Sequence, residues 1–312
     1  MSDQSILPGS TAKATDTVTG VRIVQLPSGE ALLPIEAATF TRETVTRVVA
    51  FIGPPKGGKT TLLASPYECF QIGEFAGRSF AGSDTLVGFE RVSHLGRLAS
   101  RLHKPDTERT RSGPHHCFHL RVWSGNTGSG NVLLSNISGE DCDAAVDSSE
   151  DCKRLQILRR ADHVVLVLDC GALCDTKTRQ DARNYATTLL RSLVESEMIG
   201  FRSIIDIVFN KWDLVESHPQ RQDSIAFLEV VEADMRNRFL SLFGALTFYR
   251  TAARPEYGPL LPGHGVDALF SSWLRESRLT QQRLRSLSPT TLPIAEFDRY
   301  EHRFHFVEGG EV

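Results

Sequence analysis

The sequence predicts a three-layer α/β fold, in which a mostly parallel sheet lies between two layers of helices. Two observations support this prediction. Short apolar runs typical of buried strands alternate with segments whose apolar residues recur at helical spacing. The runs at 116–123 and 131–138 are joined by the glycine-rich turn SGNTGSG, which is typical of an antiparallel pair. We therefore expect one antiparallel strand in the sheet and helices on both of its faces.

The other elements follow from the same patterns. The run HVVLVLDC is continuously apolar, as expected of a strand buried on both faces. The helix after it carries Tyr185, Leu189 and Leu193 on one side. In chain order, the predicted elements outside the antiparallel pair are the strand TRVVAFIG, the helix KTTLLASPYECF, the strand HVVLVLDC, the helix around Leu189, the strand SIIDIVFN, a helix over 222–243, the strand ALTFYRTAA and the helix GVDALFSSWL.

We divide the chain into a central domain and two flanking segments. Residues 1–43 form an N-terminal extension with a polar start, expected to be disordered, and a possible hairpin over 21–37 around the turn PSGE. The domain spans 44–275. Residues 276–312 form a C-terminal tail, in which the alternating YEHRFHF is a possible edge strand.

Composition narrows the class of protein. The chain has 312 residues, of which 40% are hydrophobic, and a net charge of -3, so no nucleic-acid or anionic-membrane partner is expected. No apolar run approaches the ~20 residues that span a bilayer, and the first residues lack the apolar centre of a signal peptide. The six cysteines form no C-x-x-C pair. We therefore expect a cytoplasmic protein with reduced thiols.

The segment GPPKGGKT, Gly53–Thr60, has the spacing of the Walker A phosphate loop, and it lies between a predicted strand and a predicted helix. Backbone N–H groups from Lys56 onward are expected to bind phosphate, because Pro54 and Pro55 have none to donate. We expect Lys59 to reach the β- and γ-phosphates. The candidate nucleotide contacts in this segment are Gly53, Lys56, Gly57, Gly58, Lys59, Thr60 and Thr61, with the Thr60 hydroxyl also a ligand of Mg²⁺.

The segment FNKWD indicates which base is bound. It spells N-K-x-D at the end of a predicted strand, with Asn210, Lys211 and Asp213 as the candidate contacts. A carboxylate at residue 213 can accept hydrogen bonds from N1–H and the 2-amino group of guanine, whereas adenine would leave it unpaired. The tripeptide Thr251-Ala252-Ala253 resembles the short loop of GTPases whose backbone N–H meets guanine O6.

An ATPase or P-loop kinase is the rival interpretation. Its best support is Asp169, which ends the apolar run VVLVLD as a Walker B aspartate would. Many GTPases carry a similar strand without a metal role for its aspartate. The rival leaves N-K-W-D unexplained, so we favour GTP.

The stretch SNISGED stands where Ras-like GTPases have D-x-x-G after the antiparallel strands. Gly139 is in place, but Asn136 occupies the position of the aspartate that holds Mg²⁺ through water. We expect weaker Mg²⁺ binding and slow turnover, because an amide brings no negative charge. Glu140 occupies the position of a water-orienting glutamine, and we assign it, with Lys59, a catalytic role. In FAGSDTLVGFE, Thr85 is preferred over Ser83 as the metal-binding switch threonine.

With these residues the chain resembles the second subgroup of the bacterial double-GTPase family, a branch of the Ras-like P-loop GTPases. The resemblance covers about 44–275 and rests on GPPKGGKTTLLAS, FAGSDTLVGFE, LLSNISGED, LRRADHVVLVLD and VFNKWDLV. It implies a GTP-binding switch that acts with a partner GTPase or other protein in bacterial conflict or signalling. The alternative is a GTP-binding assembly module with little or no turnover, which Asn136 favours.

Two further groups of residues have less specific meanings. Four arginines between 97 and 111 are either a partner-binding insert, with an arginine finger for another GTPase, or a solvated charged segment, which we favour. The histidines at 115, 116 and 119 are expected to be structural rather than metal ligands.

Overall fold

The structure is a computed structural model that describes residues 28–94, 113, 115–125 and 128–275. Three expectations from the sequence fall outside these residues: the disordered start of the chain, the cluster of four arginines and the C-terminal edge strand.

One sheet of seven strands forms the centre of the described part of the chain. The strands are β1 (Thr46–Ile52), β2 (Ser79–Gly82), β3 (Cys117–Ser124), β4 (Gly128–Asn136), β5 (His163–Asp169), β6 (Ile204–Asn210) and β7 (Ala245–Thr251). Their order in the sheet is β2-β3-β4-β1-β5-β6-β7. Strand β3 runs antiparallel to both of its neighbours, and every other pair is parallel. The predicted fold class, with one antiparallel strand, is confirmed.

Helices cover both faces of this sheet. They are α1 (Pro34–Glu43), α2 (Lys59–Ile72), α3 (Leu86–His94), α4 (Gly139–Asp147), α5 (Ser149–Arg154), α6 (Ile157–Arg160), α7 (Cys170–Cys174), α8 (Arg179–Glu195), α9 (Trp212–Glu216), α10 (Arg221–Phe239) and α11 (Val266–Trp273). Helices α2, α3 and α11 pack on one face, and α1 with α4 to α10 on the other. Two layers of apolar side chains therefore enclose β1, of which only Arg47 is not buried.

The register of the parallel strands sets the position of the site. Phe51, near the end of β1, lies opposite Asn136, the last residue of β4. Asp169, Asn210 and Thr251 end β5, β6 and β7 and lie side by side. Because the carboxyl ends of parallel strands share one edge, the loops that carry the predicted motifs meet there.

The hairpin predicted over 21–37 lies partly outside the described residues, and its last residues, 34–37, are helical rather than extended. A helix, α1, begins at Pro34, which favours a first helical position because its missing N–H needs no partner there. The Glu36 carboxylate accepts a hydrogen bond from Leu33 N at 2.7 Å and so satisfies a donor at the start of the helix. Ala37 packs against β1 and β4. Part of the predicted extension is therefore attached to the domain.

Two short elements lie in the segment 79–94, for which the sequence analysis assigned no strand or helix. Strand β2 has only four residues and an irregular register with β3, which explains its weak pattern. Helix α3 is fixed by Phe89, which is fully buried and stacks on Tyr67 with 4.8 Å between ring centroids.

Among the helices of the described residues, none combines the length and apolar character needed to cross a membrane. All six cysteines are free thiols, and all except Cys69 are buried.

Candidate functional site

The loop between β1 and α2 is pressed against two other strands. Gly53 has φ +136°, and a Cβ placed on it would lie 2.5 Å from the Val167 carbonyl oxygen of β5. Gly58 has φ +88°, and its Cβ would lie 2.4 Å from Asn210 Nδ2. Only glycine fits both positions, because a side chain would meet strain and a clash together. The loop is therefore held in a compact turn over the ends of β5 and β6.

Lys59 braces this loop from inside. Its Nζ donates to the carbonyl oxygens of Gly53 and Pro54, both at 2.8 Å, and the residue is 6% exposed. Burial lowers the pKa of the Lys59 ammonium, while nearby Cys142 and Asp143 oppose that shift. A buried cation under a turn of this shape is the arrangement that a phosphate chain requires.

Asn210 joins three of the predicted motifs. Its side chain is 2% exposed, and Nδ2 donates to the Gly57 carbonyl oxygen at 3.2 Å. Its Oδ1 accepts a hydrogen bond from Thr251 Oγ1 at 3.1 Å. One amide thus connects the phosphate loop, the end of β6 and the end of β7, which places N-K-x-D and Thr251-Ala252-Ala253 beside the loop.

Lys211 adds a second connection to the phosphate loop. Its Nζ donates to the Lys56 carbonyl oxygen at 3.0 Å and to Asp169 Oδ2 at 2.6 Å. The other oxygen of Asp169 accepts from Gly171 N at 2.8 Å and so caps α7. Both oxygens of Asp169 therefore accept hydrogen bonds from neighbouring loops of the protein.

Asp213 lies in the first turn of α9 and is 3% exposed. Its Oδ2 accepts a hydrogen bond from Glu256 N at 3.0 Å, which ties α9 to the segment after β7. In that segment Ala252 and Ala253 are buried. The structure therefore brings together the carboxylate and the tripeptide expected to meet the same base.

The candidate metal site pairs Thr60 with Asn136. The amide Nδ2 of Asn136 donates to Thr60 Oγ1 at 3.2 Å, and both residues are buried. Mg²⁺ prefers oxygen ligands and usually keeps several waters when phosphates supply the others. The Thr60 hydroxyl oxygen fits such a site, whereas Asn136 presents its NH₂ donor to that hydroxyl and adds no charge. No group of three or more His, Cys, Asp or Glu that could hold a metal occurs among the described residues.

One predicted site residue, Thr85, binds β3 instead of the candidate metal site. Thr85 is fully buried, and its Oγ1 accepts a hydrogen bond from His119 N at 2.8 Å. His119 lies opposite Leu133, three positions before Asn136, so Thr85 is not brought to Thr60 and the metal role expected of it is not supported here. The reason is that Thr85 precedes α3 and anchors that helix to β3.

Glu140 and Thr61 remain predictions. Glu140 is exposed in the first turn of α4 and lines a cavity of about 880 Å³ between α1 and α4. Thr61 is half-buried in the first turn of α2, one residue after Thr60.

Sequence reasoning missed two contacts between α4 and the phosphate loop. A Cβ on Gly139 would lie 2.5 Å from both Cα and N of Pro55. Cys142 Sγ accepts a hydrogen bond from Gly53 N at 3.4 Å, and burial raises the pKa of this thiol to about 11. A lone cysteine has no pattern that could have indicated this role. Helix α4, capped by Ser138 Oγ, therefore begins directly against the loop.

We expect Gly139→Ala to disturb the phosphate loop, because the added methyl group meets the backbone of Pro55 rather than a flexible side chain. GTP affinity should fall at least about tenfold, which is ~1.4 kcal/mol. Equilibrium titration with fluorescent GTP measures it. Gly200→Ala is the matched control, since its Cβ has nothing within 4 Å. Unchanged affinity in Gly139→Ala would show that α4 and the loop are independent.

The histidine at 119 is structural, as expected. It is fully buried, its Nδ1 accepts from Asp84 N at 3.1 Å, and its Nε2 lies 3.1 Å from Asn131 Oδ1. Burial lowers the pKa of this imidazole.

The Double-GTPase 2 family matches residues 47–274. No curated protein sequence matches the chain.

Many solved structures are similar to the chain. One is the signal recognition particle receptor SRb-GTP/SRX complex from Chaetomium thermophilum, with 17% identity, a TM-score of 0.39, and 76% of this chain and 99% of that chain covered. Another is a putative nucleolar GTP-binding protein 1 from Plasmodium falciparum, with 13% identity, a TM-score of 0.39, and 83% of this chain and 95% of that chain covered. Similarity at this level carries no information on function.

The family match is the stronger finding. It extends over more than half of the chain and includes the phosphate loop, Asn136, Gly139, N-K-x-D and the tripeptide after β7. The chain therefore belongs to the Double-GTPase 2 family and is a GTP-binding protein with a P-loop GTPase domain.

Proposed function

We propose that this protein is a switch that binds Mg²⁺·GTP, hydrolyses it slowly, and acts with a partner GTPase or another protein of a bacterial signalling or conflict system in the cytoplasm. The observation that carries the proposal is the position of Asn210 between Gly57 and Thr251. A single nucleotide must reach the phosphate loop with one end and N-K-x-D with the other. Direct hydrogen bonds between these motifs support one continuous site.

The residues present define the roles that we propose. Backbone N–H groups from Lys56 to Thr60 would surround the β-phosphate at the start of α2, and the Lys59 ammonium would neutralise charge on the β- and γ-phosphates. Bound Mg²⁺ would supply further neutralisation of that charge. Thr60 would hold the metal directly. Asp213 would select guanine through two donors that adenine lacks.

The switch would act through α4. Gly139 touches the phosphate loop, and the next residue, Glu140, lines the cavity between α4 and α1. Loss of the γ-phosphate would remove a contact at the start of α4, and a shift there would change the surface of that helix. A partner that binds this surface would then distinguish GTP from GDP.

The second candidate is an assembly module with little or no turnover, in which GTP controls association. The amide of Asn136 at the metal site favours it, because it removes one negative charge from the place where Mg²⁺ would bind. Single-turnover hydrolysis, measured alone and with a candidate partner GTPase, separates the two candidates. Absence of cleavage in both conditions would eliminate the hydrolytic switch. Faster turnover in Asn136→Asp would show that the amide slows the reaction.

Base selection is tested by equilibrium titration with fluorescent GTP, ATP and xanthosine triphosphate in the presence of Mg²⁺. We expect GTP to bind at least about 100-fold more tightly than ATP, because adenine lacks the two donors that guanine would offer to the buried Asp213 carboxylate. Asp213→Asn should weaken GTP and strengthen the xanthine nucleotide, whose extra carbonyl suits an amide donor.

The control for this titration is Asp223→Asn, which makes the same change at an exposed carboxylate on α10. It should leave all three affinities unchanged. Equal binding of GTP and ATP by the wild-type protein, or no change of preference in Asp213→Asn, would contradict the proposed role of Asp213.

A further inference from the structure

Three lysines lie in or against the phosphate loop. The ammonium groups of two of them are held by oxygen atoms of the protein. Lys59 Nζ is held by two carbonyl oxygens inside the loop, and Lys211 Nζ is held by Asp169 and the Lys56 carbonyl oxygen. Lys56 is different. Its side chain is exposed, and its ammonium makes no ion pair or hydrogen bond with any residue that the structure describes. It is therefore available for a ligand.

The backbone at Lys56 is fixed in an unusual conformation. Its φ is +62°, in the left-handed region that glycine adopts without cost and lysine does not. Lys211 holds its carbonyl oxygen, and Asn210 holds that of Gly57. This strain persists because Lys211 and Asn210 hold the backbone at residues 56 and 57, and it keeps residue 56 at a fixed place in the loop.

The negative charge of a bound nucleotide suggests a role for the Lys56 ammonium. A nucleoside triphosphate brings several negative charges to the loop, and the two side chains expected beside the metal, Thr60 and Asn136, carry no charge. The exposed Lys56 ammonium can neutralise part of this negative charge from within the same chain, as arginine fingers supplied in cis do in other GTPases.

We propose that the Lys56 ammonium binds the outermost phosphate of the nucleotide and makes triphosphate binding tighter than diphosphate binding. The inference rests on the proposed function, since it requires a guanine nucleotide in this loop. It differs from the phosphate role of the Lys56 backbone N–H, because it depends on the side chain.

The test compares the dissociation constants of fluorescent GTP and GDP in wild type, Lys56→Ala, Lys56→Gly and Lys56→Arg. We expect Lys56→Ala and Lys56→Gly to lose about tenfold in GTP affinity and less than about threefold in GDP affinity. Lys56→Arg should retain most of the preference for GTP. The melting temperature of Lys56→Gly without nucleotide should be no lower than that of wild type, because glycine relieves the positive φ.

Lys153→Ala is the matched control, because it removes an exposed lysine from α5 without touching the loop. It should bind both nucleotides as the wild type does. If Lys56→Ala binds GTP like the wild type, or loses GTP and GDP equally, the inference is wrong. If the wild-type protein does not bind GTP, the proposed function is wrong. That outcome differs from failure of the Lys56 inference, because it is seen without any substitution.

Discussion

Asn210→Ala should abolish high-affinity GTP binding and destabilise the fold at the same time. The substitution leaves the Gly57 carbonyl oxygen and the Thr251 hydroxyl without their partner in a buried place. Each lost partner costs about 1–3 kcal/mol, so the free energy of unfolding should fall by about 3 kcal/mol. For a domain of this size that corresponds to a melting temperature lower by about 10 °C.

The effect on binding should be larger than the effect on stability, because the phosphate loop is no longer tied to the base-binding motifs. We expect GTP affinity to fall at least about 100-fold, which is ~2.7 kcal/mol. Differential scanning calorimetry and nucleotide titration measure the two quantities separately.

Asn131→Ala provides the matched control for this experiment. Asn131 lies in β4, and its Oδ1 accepts a hydrogen bond from Arg121 Nε and lies 3.1 Å from His119 Nε2. It is five positions before Asn136 and therefore away from the site. Its loss should lower stability and leave GTP affinity unchanged. If both variants lose GTP affinity to the same degree, then Asn210 acts only through stability, and its hydrogen bonds to Gly57 and Thr251 are not part of the binding site.

Gly53→Ala should give the second large effect. The new Cβ would lie 2.5 Å from the Val167 carbonyl oxygen, and φ +136° is a conformation that alanine avoids. The contact with the Val167 carbonyl oxygen and the positive φ both involve the main chain, so rotation of a side chain can relieve neither. We expect a loss of at least about 3 kcal/mol in the free energy of unfolding, measured by urea denaturation.

Gly73→Ala tests whether glycine replacement itself has this effect. A Cβ at Gly73 meets nothing within 4 Å, and its φ of 165° is extended backbone. Its stability should stay within about 1 kcal/mol of the wild type. A Gly53→Ala protein as stable as Gly73→Ala would mean that the loop moves away from β5 without cost.

The strands and long helices of the centre of the domain were predictable because their apolar residues follow regular periods. The strand around Val49 and the helix around Leu189 are examples. The short elements were not. Strand β2 has too few residues for a period, and α1 depends on Pro34 and Glu36 acting at a helix start, where the sequence also allowed a hairpin. Whether a short segment of this kind becomes a helix or a strand depends on what it packs against in the folded protein.

The sequence by itself determined the phosphate loop, N-K-x-D, the asparagine at residue 136 and membership of a GTP-binding family, because those signals are residue types at fixed spacing along the chain. Only the tertiary structure decided how the motifs meet. Asn210 binds the phosphate loop, Asp169 pairs with Lys211, and Thr85 binds β3. These contacts join residues from 34 to 153 positions apart, and such distances leave no periodic trace in a sequence.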